Sequence, residues 1–251
     1  MKIFHKIWFG LNVIKRYKTW FSGFLDYFKI IGDGRMVHRM RGGAKYLMRT
    51  GTSDFGIINE VYIVREYHKL LDFIKKNSVV IDIGAQIGVF SVFASKIASE
   101  GRVLSFEPFD ENYGMLQKNI KLNESRNVSP FKLGVAEKSG ERELYISSEN
   151  TGGHSFYDKE DKKIKIKTTT LQKIFEDNQI SKCDFLKLDC EGAEYEILLS
   201  APSKYLQRIK SISMEYHNNG DIQELKKHLE NEKFKVVLNE ELGEGMLYAW
   251  R

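Results

Sequence analysis

The chain has 251 residues, of which 42% are hydrophobic and 29% charged. That make-up belongs to a folded globular protein and excludes disorder throughout. A net charge of +5, from 39 Lys and Arg against 34 Asp and Glu, permits an anionic partner without requiring one.

Residues 1–32 read as helical, because Ile3, Ile7, Leu11 and Ile14 recur at helical spacing. Trp8, Trp20, Phe21, Phe24, Tyr27 and Phe28 add aromatic surface, and Lys2, Lys6, Lys15, Arg16, Lys18 and Lys29 add positive charge. Two readings stay open: peripheral contact with an anionic membrane through residues 1–32, and a cap packed on the main domain or on a second subunit. No run approaches the ~20 apolar residues that span a bilayer, and no small-residue cleavage site follows an uninterrupted apolar stretch. A cytoplasmic protein is therefore expected, with membrane association left open. Residues 1–44 are assigned to a helical, aromatic and basic extension, and residues 45–251 to the main domain, with its core at 78–251. Within 33–68 the residues predict short strands around 45–49, a Gly-Thr-Ser turn, and a helix over 56–67 capped by Ser53 or Asp54.

From residue 78 apolar runs of strand length alternate with helical stretches. Strands are predicted at 79–83, 102–107, 128–135, 185–189, 211–216, 235–238 and 246–250, and helices at 89–98, 111–122, 171–178, 193–200 and 222–230. Such alternation predicts an α/β fold, a mostly parallel seven-stranded sheet with helices on both faces. Residues 143–147 and 163–168 interrupt it as a predicted β-hairpin, with the 150–155 loop near its tip. Cys183 and Cys190 form no C-x-x-C pair, so no zinc site is expected and both should be thiols.

The chemistry sits at the carboxyl ends of the predicted strands, where such sheets bind ligands. Val79-Val80-Ile81-Asp82-Ile83-Gly84-Ala85-Gln86-Ile87-Gly88 is a buried strand ending in an acid, then a Gly-rich turn. Gly84 and Gly88 permit close backbone approach. The D-x-G-x-x-x-G spacing differs from the G-x-G-x-x-G of pyrophosphate sites. An acid there suits a cationic, zwitterionic ligand such as S-adenosylmethionine. Glu107, 19 residues past Gly88, ends the next strand, where an acid can accept the hydroxyls of a ribose. Residues 134–136 could lie beside an adenine. In Asp184-Phe185-Leu186-Lys187-Leu188-Asp189-Cys190-Glu191-Gly192-Ala193-Glu194, Asp189 can position a hydroxyl or take its proton. Glu194 is read chiefly as a stabiliser of the helix start. An Asn/Asp-Pro-Pro-aromatic motif is missing, which favours oxygen over nitrogen as the methyl acceptor. Glu215 and His217 point the same way on an extended strand. His217 is the foremost candidate for a neutral general base, and His154 is a second.

Together these residues resemble the FkbM family of methyltransferases. The stretches that carry the resemblance are VVIDIGAQIGVFS at 79–91, SFEPFDENYGMLQKNI at 105–120, KTTTLQKIF at 167–175, DFLKLDCEGAEYEIL at 184–198 and SMEYH at 213–217, with GTSDFGIINEVYIVREY at 51–67 as a lead-in. The resemblance implies a Rossmann-like methyltransferase fold, S-adenosylmethionine as donor, and O-methylation of a sugar, glycan or natural-product hydroxyl. Asp82, Gly84, Gly88 and Glu107, with Gln86 in the turn, resemble the cofactor set. Asp189, Glu191, Glu215 and His217 resemble the acceptor side. Gln86 stands where Asn is common, and is expected to be tolerated if its amide bonds locally. Cys190 stands where Val is frequent. No metal is required, although the acceptor-side carboxylates could host a divalent ion. No nucleic-acid partner is expected, because no RNA-binding appendage is found. An RNA methyltransferase and a non-enzymatic binding module are the rival readings.

Overall fold

The computed structural model describes residues 2–28, 30–32, 34–64, 66–147, 153–157, 162–241 and 244–251. Two helices, α1 (Lys2–Arg16) and α2 (Trp20–Tyr27), open the chain. Strands β1 (Gly34–Arg39) and β2 (Lys45–Thr50) follow as an antiparallel hairpin. The helix predicted over 56–67 is instead three pieces of changing pitch. They are α3 (Asp54–Asn59), a π-helical turn at Glu60–Val64 and a 3-10 segment at Glu66–Phe73. Three β-branched residues, Val61, Ile63 and Val64, crowd a regular α-turn, and the wider turn still buries Val61 and Ile63. Ser53 takes the N-cap position, while Asp54 bonds elsewhere, as described below.

The main domain runs β3 (Val79–Ile83), α4 (Val89–Ile97), β4 (Arg102–Phe106), α5 (Asp110–Leu122) and β5 (Val128–Phe131). It continues with β6 (Gly134–Val135), β7 (Gly140–Tyr145), β8 (Lys163–Thr169) and α6 (Leu171–Asp177). It ends with β9 (Phe185–Leu188), α7 (Glu194–Ser200), α8 (Ser203–Leu206), β10 (Ser211–Tyr216), α9 (Ile222–Asn231), β11 (Lys235–Glu241) and β12 (Glu244–Trp250). Seven strands form one sheet in the order β11-β12-β10-β9-β3-β4-β5. All neighbouring pairs are parallel except those made by β12. The fold is thus the Rossmann-like α/β architecture that the alternation predicts.

The strand predicted over 128–135 divides in two. Pro130 has no N–H to donate, so β5 fits only the sheet edge, where it lies. Beyond Phe131 the chain leaves the sheet, and β6 joins the hairpin strands in a three-stranded sheet of order β6-β8-β7. Gly134 fits there because a Cβ would come within 2.8 Å of Ile166 Cδ1.

Alternation along the strands separates two cores. Ile81 and Ile83 face the layer of α6 to α9 with Leu186 and Leu188. Val80, Val103 and Phe185 face α4 and the N-terminal layer. Val13, Tyr17, Met40, Ala44, Tyr46 and Met48 belong to that second core. Through these residues the segment from Val13 to Ala44 is packed into the domain, and the boundary drawn at 44 falls in the turn between β1 and β2. Among the described residues no helix is long and apolar enough to cross a membrane.

Candidate active site

A cavity of about 270 Å³ opens at the carboxyl ends of β3, β4, β9 and β10. Gly84, Gln86, Glu107, Asp189, Glu191 and Glu215 line it, as does His154, while Asp82, Gly88 and His217 do not. Gly134 and Val135 also line it.

Asp82 is placed by strand alternation on the α4 side of the sheet. It is fully buried. Its Oδ2 accepts the Ser91 hydroxyl at 2.5 Å, and Oδ1 lies 3.4 Å from Lys187 Nζ. Burial pushes its carboxyl up, against the pull of Lys187 and Ser91. It is not among the residues that line the cavity, but its partner Lys187 is. The two glycines are required by the backbone itself. Both have positive φ, +75° at Gly84 and +86° at Gly88. A Cβ at Gly84 would fall 1.6 Å from the Asp189 carbonyl oxygen, and one at Gly88 would fall 2.5 Å from Leu116 Cδ1. Protein atoms occupy the space left by their missing side chains.

Glu107 is buried at the end of β4. Its Oε2 accepts the Gln86 N–H and its Oε1 accepts the Phe109 N–H, both at 2.9 Å. Burial pushes its carboxyl up to about 7, while the two backbone N–H groups pull the other way. Gln86 bonds locally, as its length requires: Oε1 accepts the Ile87 N–H at 2.6 Å. Its Nε2 also donates to Asp54 Oδ1 at 3.1 Å. Asp54 is fully buried and gripped by Arg49, with Nε to Oδ2 at 3.0 Å and Nη2 to Oδ1 at 2.8 Å. Arg49 Nη2 donates as well to Asn112 Oδ1 at 2.8 Å. This chain ties β2 and α3 to the glycine turn. It was not read from the sequence, because an Arg near a strand end and an Asp five residues on carry no pattern.

On the opposite wall, Asp189 Oδ2 accepts the Tyr67 hydroxyl at 2.8 Å and lies 3.2 Å from Lys187 Nζ. Lys187 is buried and also donates to the Gly84 carbonyl at 2.9 Å. Burial opposes its charge, but Asp189 and Asp82 hold it protonated, well above the ordinary lysine range. Burial raises the Asp189 carboxyl, yet Lys187 and the Tyr67 hydroxyl outweigh it and hold the group below its ordinary value. Lys187 carried a signal that sequence reasoning passed over: a lysine inside an apolar strand requires counter-charges. Tyr67 gave none, since 122 residues separate it from its partner.

His217, expected as a neutral base, lies between two glutamates. Its Nε2 lies 3.2 Å from Glu191 Oε2 and its Nδ1 3.6 Å from Glu194 Oε1. Burial disfavours its charge, but hydrogen bonding and attraction to the two glutamates push it up to about 11. Glu194 is buried and accepts the Cys190 and Gly192 N–H groups at 2.7 and 2.8 Å, holding the turn after β9. Burial pushes the Glu191 carboxyl up, with His217 opposing. His154 is the neutral imidazole of the cavity. Burial, then the charge of Arg49, depress it to about 4. Its Nδ1 accepts the Ser147 N–H at 3.2 Å, which leaves the proton on Nε2. That buried nitrogen has no hydrogen-bond partner among the described residues. Of the predicted 150–155 loop, residues 150–152 lie outside the described residues.

A family model described as the methyltransferase FkbM domain matches residues 82–236. Methyltransferase sdnD of Sordaria araneosa is 23% identical over 194 residues, covering 64% of this chain and 75% of that protein. The hexuronic acid methyltransferase AglP of Haloferax volcanii is 25% identical over 169 residues, covering 67% of this chain and 68% of that protein. Among solved structures, the METTL16 methyltransferase domain aligns with a TM-score of 0.50 at 15% identity, covering 74% of this chain and 66% of that one. That last likeness is one of fold alone. With more than half of its length matched by the family model, this chain belongs to the methyltransferase FkbM domain family, whose cofactor is S-adenosylmethionine.

Proposed function

We propose that the protein methylates a hydroxyl oxygen on a sugar, glycan or natural-product acceptor. The observation that carries this reading is the Asp189 carboxylate, a quarter exposed on the cavity wall and held by Tyr67 and Lys187. An anion fixed in this way can accept a hydrogen bond from an acceptor hydroxyl and take its proton as the oxygen attacks. It has nothing to offer a planar amine beyond one acceptor group. The residues fit the donor. Each Glu107 oxygen takes a single backbone N–H, so each keeps a lone pair for a ribose hydroxyl. Asp82 and Asp189 outnumber Lys187, which leaves a negative field suited to a cationic ligand. When bound, S-adenosylmethionine supplies the electrophilic methyl group. Gln86 and the Gly84 turn shape its seat, and the Nε2–H of His154 offers a further donor to whatever fills the cavity. Glu191 and Glu215 line the same cavity, and in this reading they belong to the acceptor side. His217 fixes Glu191 and takes no proton. The name of AglP, a hexuronic acid methyltransferase at 25% identity, supports starting with acidic sugars.

The test has two stages. Calorimetric titration with S-adenosylhomocysteine should show binding by the wild type and, within a fewfold, by Asp189→Asn. Transfer of labelled methyl should then be followed into hexuronic acids, neutral glycans and total RNA. Expected is transfer to a sugar hydroxyl that falls at least about 100-fold in Asp189→Asn, the scale of a lost general base. Label confined to RNA, or unchanged turnover by the variant, overturns the reading.

A further inference from the structure

The outer surface of the two N-terminal helices has the polarity of an ordinary surface helix reversed. On α2, Trp20, Phe21, Phe24 and Phe28 are exposed, up to 59% at Phe21, whereas Gly23 and Asp26 are turned inward. Phe21, Phe24 and Phe28 follow the i, i+3, i+7 spacing of a single stripe. A surface helix of a soluble protein turns that stripe to the core.

The helix is not loosely placed. A Cβ on Gly23 would come within 2.8 Å of His38 and 2.9 Å of Phe55, so α2 lies close against the layer beneath. Asp26 accepts the Gly51 N–H at 2.8 Å, which pins it again. Val13 of α1 and Tyr17 just past its end are buried, whereas Trp8, Leu11 and Ile14 of α1 are exposed. Seven of the twelve exposed large hydrophobic side chains among the described residues therefore belong to α1, α2 and the Phe28 that caps α2 in the sequence, and Ile30 follows directly.

Charge is concentrated in the same place. Residues 1–44 hold nine Lys and Arg against two Asp, a net +7, so the remainder of the chain carries −2. The exposed Lys18 donates its N–H to the Arg39 carbonyl at 2.7 Å, and Arg41 binds the Arg16 and Ile14 carbonyls at 2.7 and 3.2 Å. These contacts draw Arg39 and Arg41 to the end of α1, beside the apolar surface.

We propose that this face seats the protein on an anionic lipid surface, with the aromatic stripe entering the headgroup boundary and the basic residues meeting lipid phosphate and carboxylate. Apolar area and cationic charge on one face are the two terms that hold an interfacial helix. A second copy of the chain would satisfy the apolar area, but it would bring together two segments that each carry a net +7. The seat lies close to the cavity, since α2 packs on Phe55 of α3, and Ser53, Gly56 and Ile57 from that segment line the cavity. The inference stands apart from the choice of acceptor.

The test is flotation of the full chain with vesicles of phosphatidylcholine alone and of phosphatidylcholine with phosphatidylserine, at low and high salt. The wild type should float with the anionic vesicles and be released by salt. Phe21→Ser/Phe24→Ser/Phe28→Ser should bind them at least about tenfold more weakly. Its thermal melting and S-adenosylhomocysteine affinity, which report folding, should match the wild type because all three side chains are exposed. Failure of the wild type to float with either vesicle overturns the proposal. So does equal flotation by the triple variant. Light scattering that shows a dimer lost in the triple variant, with no vesicle binding, assigns the face to a second copy and overturns it as well.

Discussion

Glu107 places the strongest pH dependence on the donor side. Burial holds its carboxyl at about 7, above the unfolded value of 4.5. Between those values the folded protein keeps a proton on Glu107, and on the proposed reading a ribose hydroxyl must then compete with it for the carboxylate oxygens. S-adenosylhomocysteine affinity should therefore be full above about pH 7 and fall by up to about tenfold per unit below it. Glu107→Gln, which cannot ionise, should show weak and pH-independent binding. Calorimetry from pH 5.5 to 8.5 checks this, and a sloping profile in the variant would assign the titration to another group. Glu107 and Asp189 were both legible in the sequence, because an acid at the end of a buried strand has a fixed address at the ligand edge. His217 was legible as a position but not as a state. Its charge is set by Glu191 and by Glu194, a residue read as a helix stabiliser that in fact holds the turn before its helix. Asp82 was likewise placed on the right strand, but the side it faces follows from alternation, which puts it with Val80 and Ser91.

The element that governs the glycine turn from outside is the segment between β2 and α3. Asp54 joins Arg49 and Gln86 with no exposed surface. Removing one partner of a buried pair leaves the other charge without compensation and costs about 3–5 kcal/mol. Asp54→Asn should lower stability on that scale in urea unfolding. It should also weaken S-adenosylhomocysteine binding, since Gln86 loses its anchor. Loss of stability with undiminished affinity would separate the tie from the turn. The sheet was readable because its strands are continuous apolar runs buried on both faces. The segment from 54 to 73 was not, because the pitch of a helix that changes from α to π to 3-10 depends on what it packs against. The small sheet was half readable: alternation marked β7 and β8, but nothing local announced that β6 would leave β5 to join them.

At the scale of the whole molecule, the N-terminal layer is part of the fold that the sheet needs. Tyr17 is fully buried, and its hydroxyl donates to Asn59 Oδ1 at 2.6 Å. Val13, Met40 and Ala44 join it in the core shared with Val80 and Val103. A chain starting at residue 45 would lose β1 from its hairpin and expose that core. It should give no cooperative thermal transition, or one lowered by tens of degrees, in circular dichroism; a folded, donor-binding product would show that the layer is dispensable. The same reasoning reaches the centre of the sheet. Any side chain at residue 84 would collide with the backbone of Asp189, so the glycine turn after β3 and the end of β9 are in contact without a gap. On the proposed reading the donor sits at the first and the acceptor at the second, so the path of the methyl is bounded by backbone packed on backbone rather than by side chains that rearrange.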